Sequence, residues 1–257
     1  MPIDRYSDTS PRFFEPEESV VFAKYINITK FLSLIKDEQL FFCRLDKLED
    51  RFEGTMPKIS RKILNNYYRH LRAQKEFTVA MTDKEIEKIV DNYFEFSQKL
   101  KSLNCINCWN EFEGESYALW KVYSNLNQGI MIKSSFNRVI NAFKESKEKI
   151  YCSRVKYIDH DKDSIDIGNT MLPIVHKHKA YSYENEIRLI HKVSDMDWKH
   201  DWENEKYENG IKVNVNLQML ISEIVISPFS SDWFIELVED ILKKYSIKCN
   251  LESSKLK

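Results

Sequence analysis

The sequence predicts an α+β fold: mixed, mostly antiparallel sheet flanked by helices, with a helical pair inserted between sheet-forming segments. Three observations carry this. Short runs rich in β-branched and aromatic residues, bounded by polar turn residues, recur from residue 20 to residue 227. Several segments between and after them, most clearly Asp232–Tyr245, repeat apolar residues at helical spacing. The helical pattern of residues 58–103 forms a single block between two strand-rich regions.

A polar lead occupies residues 1–19 and carries Pro2, Pro11 and Pro16. The run Val20–Ile26 reads as a strand. Thr29 is placed to cap a short helix whose apolar residues are Phe31, Leu32 and Ile35. Leu40–Cys43 reads as a second strand, and a charged loop from Arg44 to Glu53 ends at Gly54 and Pro57. In the inserted block, Ile59, Ile63, Leu64, Tyr67, Tyr68 and Leu71 predict one helix. A second follows from the capping box Thr82/Glu85 with Ile86, Ile89, Val90, Tyr93 and Leu100. Further strands are expected at Asn104–Trp109, Gly129–Lys133, Ile150–Ile158, Glu186–His191, Ile211–Val215 and Glu223–Ser227. Helices are expected at Ser116–Tyr123, Phe136–Ser146 and Asp232–Tyr245. The last shows Trp233, Phe234, Leu237, Val238, Ile241, Leu242 and Tyr245 as one stripe, capped by Ser230 or Ser231. The Met171–Lys179 segment reads as helical, and the acidic Asp195–Gly210 segment, with Trp198 and Trp202, as a surface loop or short helix. The expected organisation is one domain over residues 20–251, with the insertion at about 58–103 and a flexible tail at 252–257.

Only five of 257 residues are glycine, against an ordinary usage of about 7%. Neither a G-x-G-x-x-G turn nor a G-x-x-x-x-G-K-[S/T] loop can be written from them, so a phosphate would be held by side chains or a helix N-terminus. Gly54 and Gly114 border charged stretches and are where the backbone is expected to need freedom. A net charge of −1 offers no whole-protein field for nucleic acid. There is no stretch of about 18 apolar residues and no apolar signal segment, so no membrane association is expected. Five scattered cysteines fit a reducing, cytoplasmic setting.

Five stretches could carry chemistry. Cys105 and Cys108 lack a second ligand pair and, on a strand, point to opposite faces, which reads as two core thiols beside Trp109. His176 and His178 read as solvent-facing on a helix, and no metal site is assigned. Asp46, Glu49, Asp50 and Glu53 crowd a loop that Leu48 and Phe52 would anchor. The sharpest is Lys179–Ile190. On a strand, Glu186, Arg188 and Ile190 share one face and Ile187 and Leu189 the other, and an inward Glu or Arg demands a partner. An internal ion pair satisfies that demand; so does a carboxylate beside a polar pocket with Tyr181 or Tyr183. A fifth segment, Glu113–Tyr123, sets Glu115 and Ser116 at a helix start, where a dipole and a cap favour them, with Leu119, Trp120 and Tyr123 facing the core.

In this order the motifs resemble a bacterial family, the domain of unknown function 2971. The matching residues are Lys24-Tyr25, the helix Phe31–Ile35 and the turn Glu49-Asp50-Arg51-Phe52-Glu53, in which Glu49 and Arg51 stand where the family has Asn and Pro. Further on, Cys108-Trp109, Glu115-Ser116, Leu119-Trp120, Tyr123, Val155 and Tyr157 match. So do Lys179, Tyr183, Glu186 and Arg188, and finally Ile221, Ile224, Ile226 and Pro228. More distantly, the strand–helix–strand start and the late strand bearing a decisive Glu are similar to the ADP-ribosyltransferase plan. That likeness implies Lys24 as the dinucleotide grip, where the plan has Arg or His, Tyr25 or Tyr183 as ring partner, and Glu186 as catalytic carboxylate, with NAD as cofactor.

The leading expectation is therefore a nucleotide-binding, ADP-ribosyltransferase-like effector of toxin or phage-defence type. Its catalytic residues are Glu186, Tyr183 and Arg188, and its cofactor-binding residues Lys24, Tyr25, Asp50, Glu53, Glu115 and Ser116. One alternative is a magnesium-dependent nuclease using Asp46, Asp50, Glu53, Glu184 and Glu186. The other is a non-catalytic interaction domain presenting residues 58–103 and 195–210 to a protein partner.

Overall fold

The computed structural model describes residues 13–50, 52–74, 81–169, 171–193 and 208–256. Most of the polar lead, Arg51 and most of the Trp-bearing segment 195–210 lie outside the described residues. The strands are β1 (Val21–Asn27), β2 (Gln39–Arg44), β3 (Asn104–Glu111), β4 (Gly129–Ser135), β5 (Ile150–Arg154), β6 (Lys156–Ile158), β7 (His176–His178), β8 (Glu186–Lys192), β9 (Gly210–Asn214), β10 (Glu223–Ile226) and β11 (Asn250–Ser253). The helices are α1 (Ile28–Asp37), α2 (Lys58–Ala73), α3 (Asp83–Lys99), α4 (Tyr117–Tyr123), α5 (Phe136–Ala142), α6 (Leu217–Leu220) and α7 (Asp232–Lys244).

Nine strands make one sheet, in the order β11-β10-β4-β1-β3-β2-β9, with β8 joining β3 to β5; β6 and β7 form a separate parallel pair. Within the nine, only β10 and β11 run parallel. The mostly antiparallel α+β architecture is the one the sequence predicts, with α2 and α3 as the inserted pair.

Strand β3 is the hinge of this sheet. One edge pairs with β8 over Asn104–Asn110. The other edge is shared: its start pairs with Arg44 and Cys43 of β2, and its end with Ala23 and Phe22 of β1. Between these two contacts β1 and β2 splay apart. Side chains close the gap, because backbone polar groups left without ladder partners must find others. Lys24 Nζ donates to Asn107 Oδ1 at 3.2 Å and to the Cys108 carbonyl at 2.6 Å, and Asn107 Nδ2 donates to the Phe41 carbonyl at 2.8 Å.

The largest core fills one sheet face, where Phe31 and Ile35, Phe136 and Val139, and Phe234, Val238 and Leu242 pack on Phe22, Phe42, Trp109, Ile132, Ile187 and Leu189. On the opposite face Leu119 and Trp120 of α4 cover Ala23, Tyr25 and Met131. Phe13, Leu45, Ile106, Ile174, Val175 and Ile190 make a third group. The inserted helices meet through Leu64, Ile86 and Val90.

Several expectations are corrected. Asn27, not Thr29, caps α1, its side chain accepting from Lys30 N–H at 2.9 Å. The run 150–158 breaks at Val155, whose N–H bonds the Glu186 carbonyl, and the chain then leaves the main sheet for the small one. Helix α5 stops at Ala142. In α7 the core takes Phe234, Val238 and Leu242, whereas Trp233, Leu237 and Tyr245 are exposed. The C-terminal segment is held rather than free: β11 pairs with β10, and Ser254 N–H bonds the Ile226 carbonyl at 2.9 Å. Gly54 does adopt positive φ (67°), but the second such glycine is Gly210 rather than Gly114.

Candidate functional site

Alternation along β8 turns Glu186 and Arg188 to the face away from the main core. Both are enclosed there. The loop after β2 brings Glu53 to the same place, and β7 brings Lys177. Arg188 Nε donates to Glu186 Oε1 at 2.8 Å and Nη2 to Glu186 Oε2 at 3.1 Å. Its remaining donors reach Glu53 Oε1 and the Ile174 carbonyl. Lys177 Nζ bonds Glu184 Oε2 at 2.5 Å and Glu186 Oε2 at 2.9 Å, and stands 3.8 Å from Glu53 Oε2. Tyr123 Oη donates to Glu184 Oε1 at 2.6 Å, and Glu186 N–H donates to Tyr157 Oη at 2.8 Å. Three carboxylates thus share two cations.

Burial alone would keep every one of these groups neutral. For Glu186 it is outweighed by Arg188 and Lys177, which hold the carboxyl well below its usual range. For Arg188 and Lys177 burial is likewise overcome, chiefly by Glu186, and both cations lie above their ordinary values. Glu184 goes the other way. Burial raises it, and neither Lys177 nor the Tyr123 hydroxyl compensates. Tyr123 is raised by burial and by its bond to Glu184.

The rim of this cluster is aromatic. Tyr123 and Tyr183 are 40% and 47% exposed, so Tyr123 faces solvent rather than the core. Tyr181 lies with its ring 4.9 Å from Lys177 Nζ. Lys24 stands at the opened edge of β3 but on the main-core face: it alternates with Phe22 and Ile26 on β1, and its Nζ lies 5.5 Å from the centre of the Trp109 ring. Burial lowers its ammonium to about 8, a shift that the charge of Glu186, acting from across the sheet, only partly offsets.

Of the sequence-predicted residues, Glu53, Glu186 and Arg188 therefore come together, with Tyr183 at the rim, whereas Lys24 lies on the other face of the sheet. Asp50 stands apart, accepting from Phe52 N–H at 2.9 Å and facing Tyr181. Tyr25, Glu115 and Ser116 form a second cluster at the start of α4. Ser116 N–H donates to Tyr25 Oη at 3.2 Å, and Ser116 Oγ caps Leu119 N–H at 3.4 Å. Glu115 accepts from Trp120 Nε1 at 3.2 Å, from Lys255 N–H at 2.8 Å and from Ser254 Oγ. Since Tyr123 ends the same helix, the two clusters are separated by its length, about 10 Å for seven residues.

Other expectations change. His176-Lys177-His178 is a strand, not a helix. His176 is buried, with Nδ1 on the Leu172 carbonyl at 2.7 Å, and Lys177 points the other way into the carboxylates. Lys177 is the site residue that sequence reasoning passed over, and Glu184 entered it only as a metal ligand; reading the His-Lys-His triplet with strand alternation would have exposed the lysine. The nuclease alternative loses its ligands: Glu53, Glu184 and Glu186 are spent on Lys177 and Arg188, and Asp46 on Arg44 at 2.7 Å. Among the described residues no group of three or more His, Cys, Asp or Glu is placed to hold a metal ion. Cys105 faces the main core and Cys108 the opposite side, as expected, and burial pushes the Cys105 thiol up to about 11.

The stretch from α4 through β8 thus supplies Tyr123, Tyr157, Lys177, Glu184, Glu186 and Arg188 to one cluster. Residues 119–189 match the family model described as protein of unknown function DUF2971. The DUF2971 match therefore contains every member of the cluster except Glu53. No curated protein matches the chain. Among solved structures, the chain is similar to Thermus sp. 2.9 DarT in complex with carba-NAD+, at 10% identity over 94% of this chain and 97% of that one, with a TM-score of 0.39. Among the described residues no helix is long and apolar enough to cross a membrane.

Proposed function

We propose that the protein binds a nucleotide, with NAD the first to test, against the tyrosine-rimmed edge of the Glu184–Lys177–Glu186 cluster, and transfers its ribosyl group. The observation that supports this best is the surplus carboxylate. Among the described residues the ion pairs of Glu53, Glu184 and Glu186 all go to Lys177 and Arg188, and Glu184 is the carboxylate that reaches the rim through Tyr123. Three carboxylates that share two cations leave one negative charge unbalanced, and such a charge stabilises positive charge that develops beside it.

In NAD that charge appears at the ribose. The bond from C1′ to the pyridinium nitrogen breaks, its electron pair goes to nicotinamide, and C1′ and the ring oxygen share the cation. Water or an acceptor hydroxyl then adds at C1′ and yields its proton to Glu184. Glu186 sits one cation further in and fixes Lys177, and Arg188 fixes Glu186 and Glu53. Tyr183 supplies an exposed ring for the base or ribose. Asp50, Tyr25, Glu115 and Ser116 would contact the more distant half of the dinucleotide. The setting that goes with this reading is an effector inside the cell, toxin-like or in phage defence.

Calorimetric titration of the purified protein with NAD, together with mass spectrometry for released nicotinamide, tests the proposal. Binding by wild type and loss of turnover in Glu184→Gln and Glu186→Gln are expected. Absence of NAD binding, or unaltered turnover in both variants, would overturn it.

A further inference from the structure

Beside the charged cluster lies a group of polar atoms that no described residue satisfies. His160 is 4% exposed, and among the described residues neither of its ring nitrogens has a hydrogen-bond partner. Asp50 Oδ2 is also buried and unpaired, while Oδ1 of the same carboxyl is taken by Phe52 N–H at 2.9 Å. Buried polar atoms are paired in the great majority of cases, and each exception costs about 1–3 kcal/mol. Three such atoms around one spot ask for a ligand.

The rings nearby say what shape it has. Phe52 is 48% exposed, yet its ring sits 5.2 Å from His160 and 5.9 Å from His178, and the two imidazoles are 5.9 Å apart and nearly parallel. Three rings from three segments, the loop after β2, the loop after β6 and strand β7, therefore converge on a half-open aromatic platform. Burial, then the neighbouring His178, keeps His160 below its ordinary pKa, so its ring is neutral and offers one N–H donor and one lone pair. Asp50 Oδ2 adds an acceptor.

We infer that Phe52, His160, His178 and Asp50 form a recognition subsite for a planar heterocycle bearing a hydrogen-bond donor beside an acceptor. Asp50 takes the donor and the His160 N–H meets the acceptor, with Phe52 against the ring face. Adenine (amino group beside a ring nitrogen) and nicotinamide (carboxamide) both present that pair. Tyr181 is the wall common to both places: Asp50 acts on its hydroxyl, and Lys177 Nζ lies over its ring. The subsite thus selects one end of the nucleotide, and to that extent rests on the function proposed above.

Adenosine and nicotinamide, titrated separately into the full chain while the imidazole nitrogen resonances are followed by NMR, test it. One of the two should move the His160 nitrogens, which identifies the end that is read. Phe52→Ala, an exposed position, and Asp50→Asn should each weaken that ligand about tenfold, as losing a stacked base or its polar partner does. If neither compound moves His160, or both variants bind as wild type does, the subsite is wrong. Movement of His160 without any nicotinamide release from NAD would uphold the subsite while overturning ribosyl transfer.

Discussion

Glu186 and Arg188 lie two residues apart on one face of β8 and meet through two bonds, Nε to Oε1 at 2.8 Å and Nη2 to Oε2 at 3.1 Å, with both side chains sealed from solvent. The same guanidinium holds Glu53 from the loop after β2 and the Ile174 carbonyl from the segment before β7. One side chain therefore pins three parts of the chain around the carboxylates.

Arg188→Met is expected to cost about 3–5 kcal/mol, because it strands Glu186 and Glu53 without their main cation in an enclosed place. Urea unfolding of wild type and variant measures it. A loss below about 1 kcal/mol would mean that the cluster does not support the fold.

Glu184 should behave in the opposite sense. Its folded-state pKa is raised, so the folded protein favours the protonated acid, and stability present below the unfolded value of about 4.3 is lost as pH rises through the folded one. Glu184→Gln removes that loss. Relative to wild type, the variant should gain stability as pH rises above about 4, read as a growing difference in urea midpoint. A difference that does not change with pH would contradict the burial of Glu184 as the carboxyl that the cluster raises.

How much of this was legible follows from the range of the interactions. The alternation of Glu186 and Arg188 against Ile187 and Leu189 is local, so their inward face and need for partners could be read directly. The capping box at Thr82 and Glu85 forms as written, with Glu85 N–H on Thr82 Oγ1 and Thr82 N–H on Glu85 Oε2. Lys177 was missed because a three-residue strand carries too little pattern to outweigh the helical signal of the residues before it, which do form a short 3-10 turn at Leu172–Val175. The sharing of one edge of β3 between β1 and β2 is set by pairings between residues more than 60 positions apart. No single window of sequence records it, and so the use of Lys24 to bridge the gap was hidden as well.

Lys24 gives a prediction at alkaline pH. Burial lowers its folded pKa to about 8, so between about pH 8 and 10 the folded protein has released a proton that the unfolded chain keeps. Stability contributed by this position therefore rises with pH across that window. A titration of the Lys24 Nζ resonance should show a midpoint near 8, and Lys24→Met should remove the rise in stability relative to wild type. An ordinary lysine midpoint would show that the gap in the sheet is open to water.

Gly54 and Gly114 both border charged stretches, but only Gly54 is conformationally committed. Gly54 has φ of 67°, and a Cβ there would come within 2.4 Å of Leu45 Cδ2 in the core. Gly114 has no such φ, and a Cβ would meet nothing within 4 Å. Gly54→Ala should therefore cost about 1–3 kcal/mol through backbone strain and a displaced Leu45. Gly114→Ala should stay within about 0.5 kcal/mol. The effect at Gly54 reaches the site, because Glu53 is its neighbour and lies against Arg188. Loss of nucleotide affinity in Gly54→Ala, measured below its unfolding midpoint and absent in Gly114→Ala, would tie this turn to the carboxylate cluster. Equal urea midpoints for the two variants would show that the turn adapts to a side chain and leaves Glu53 where it is.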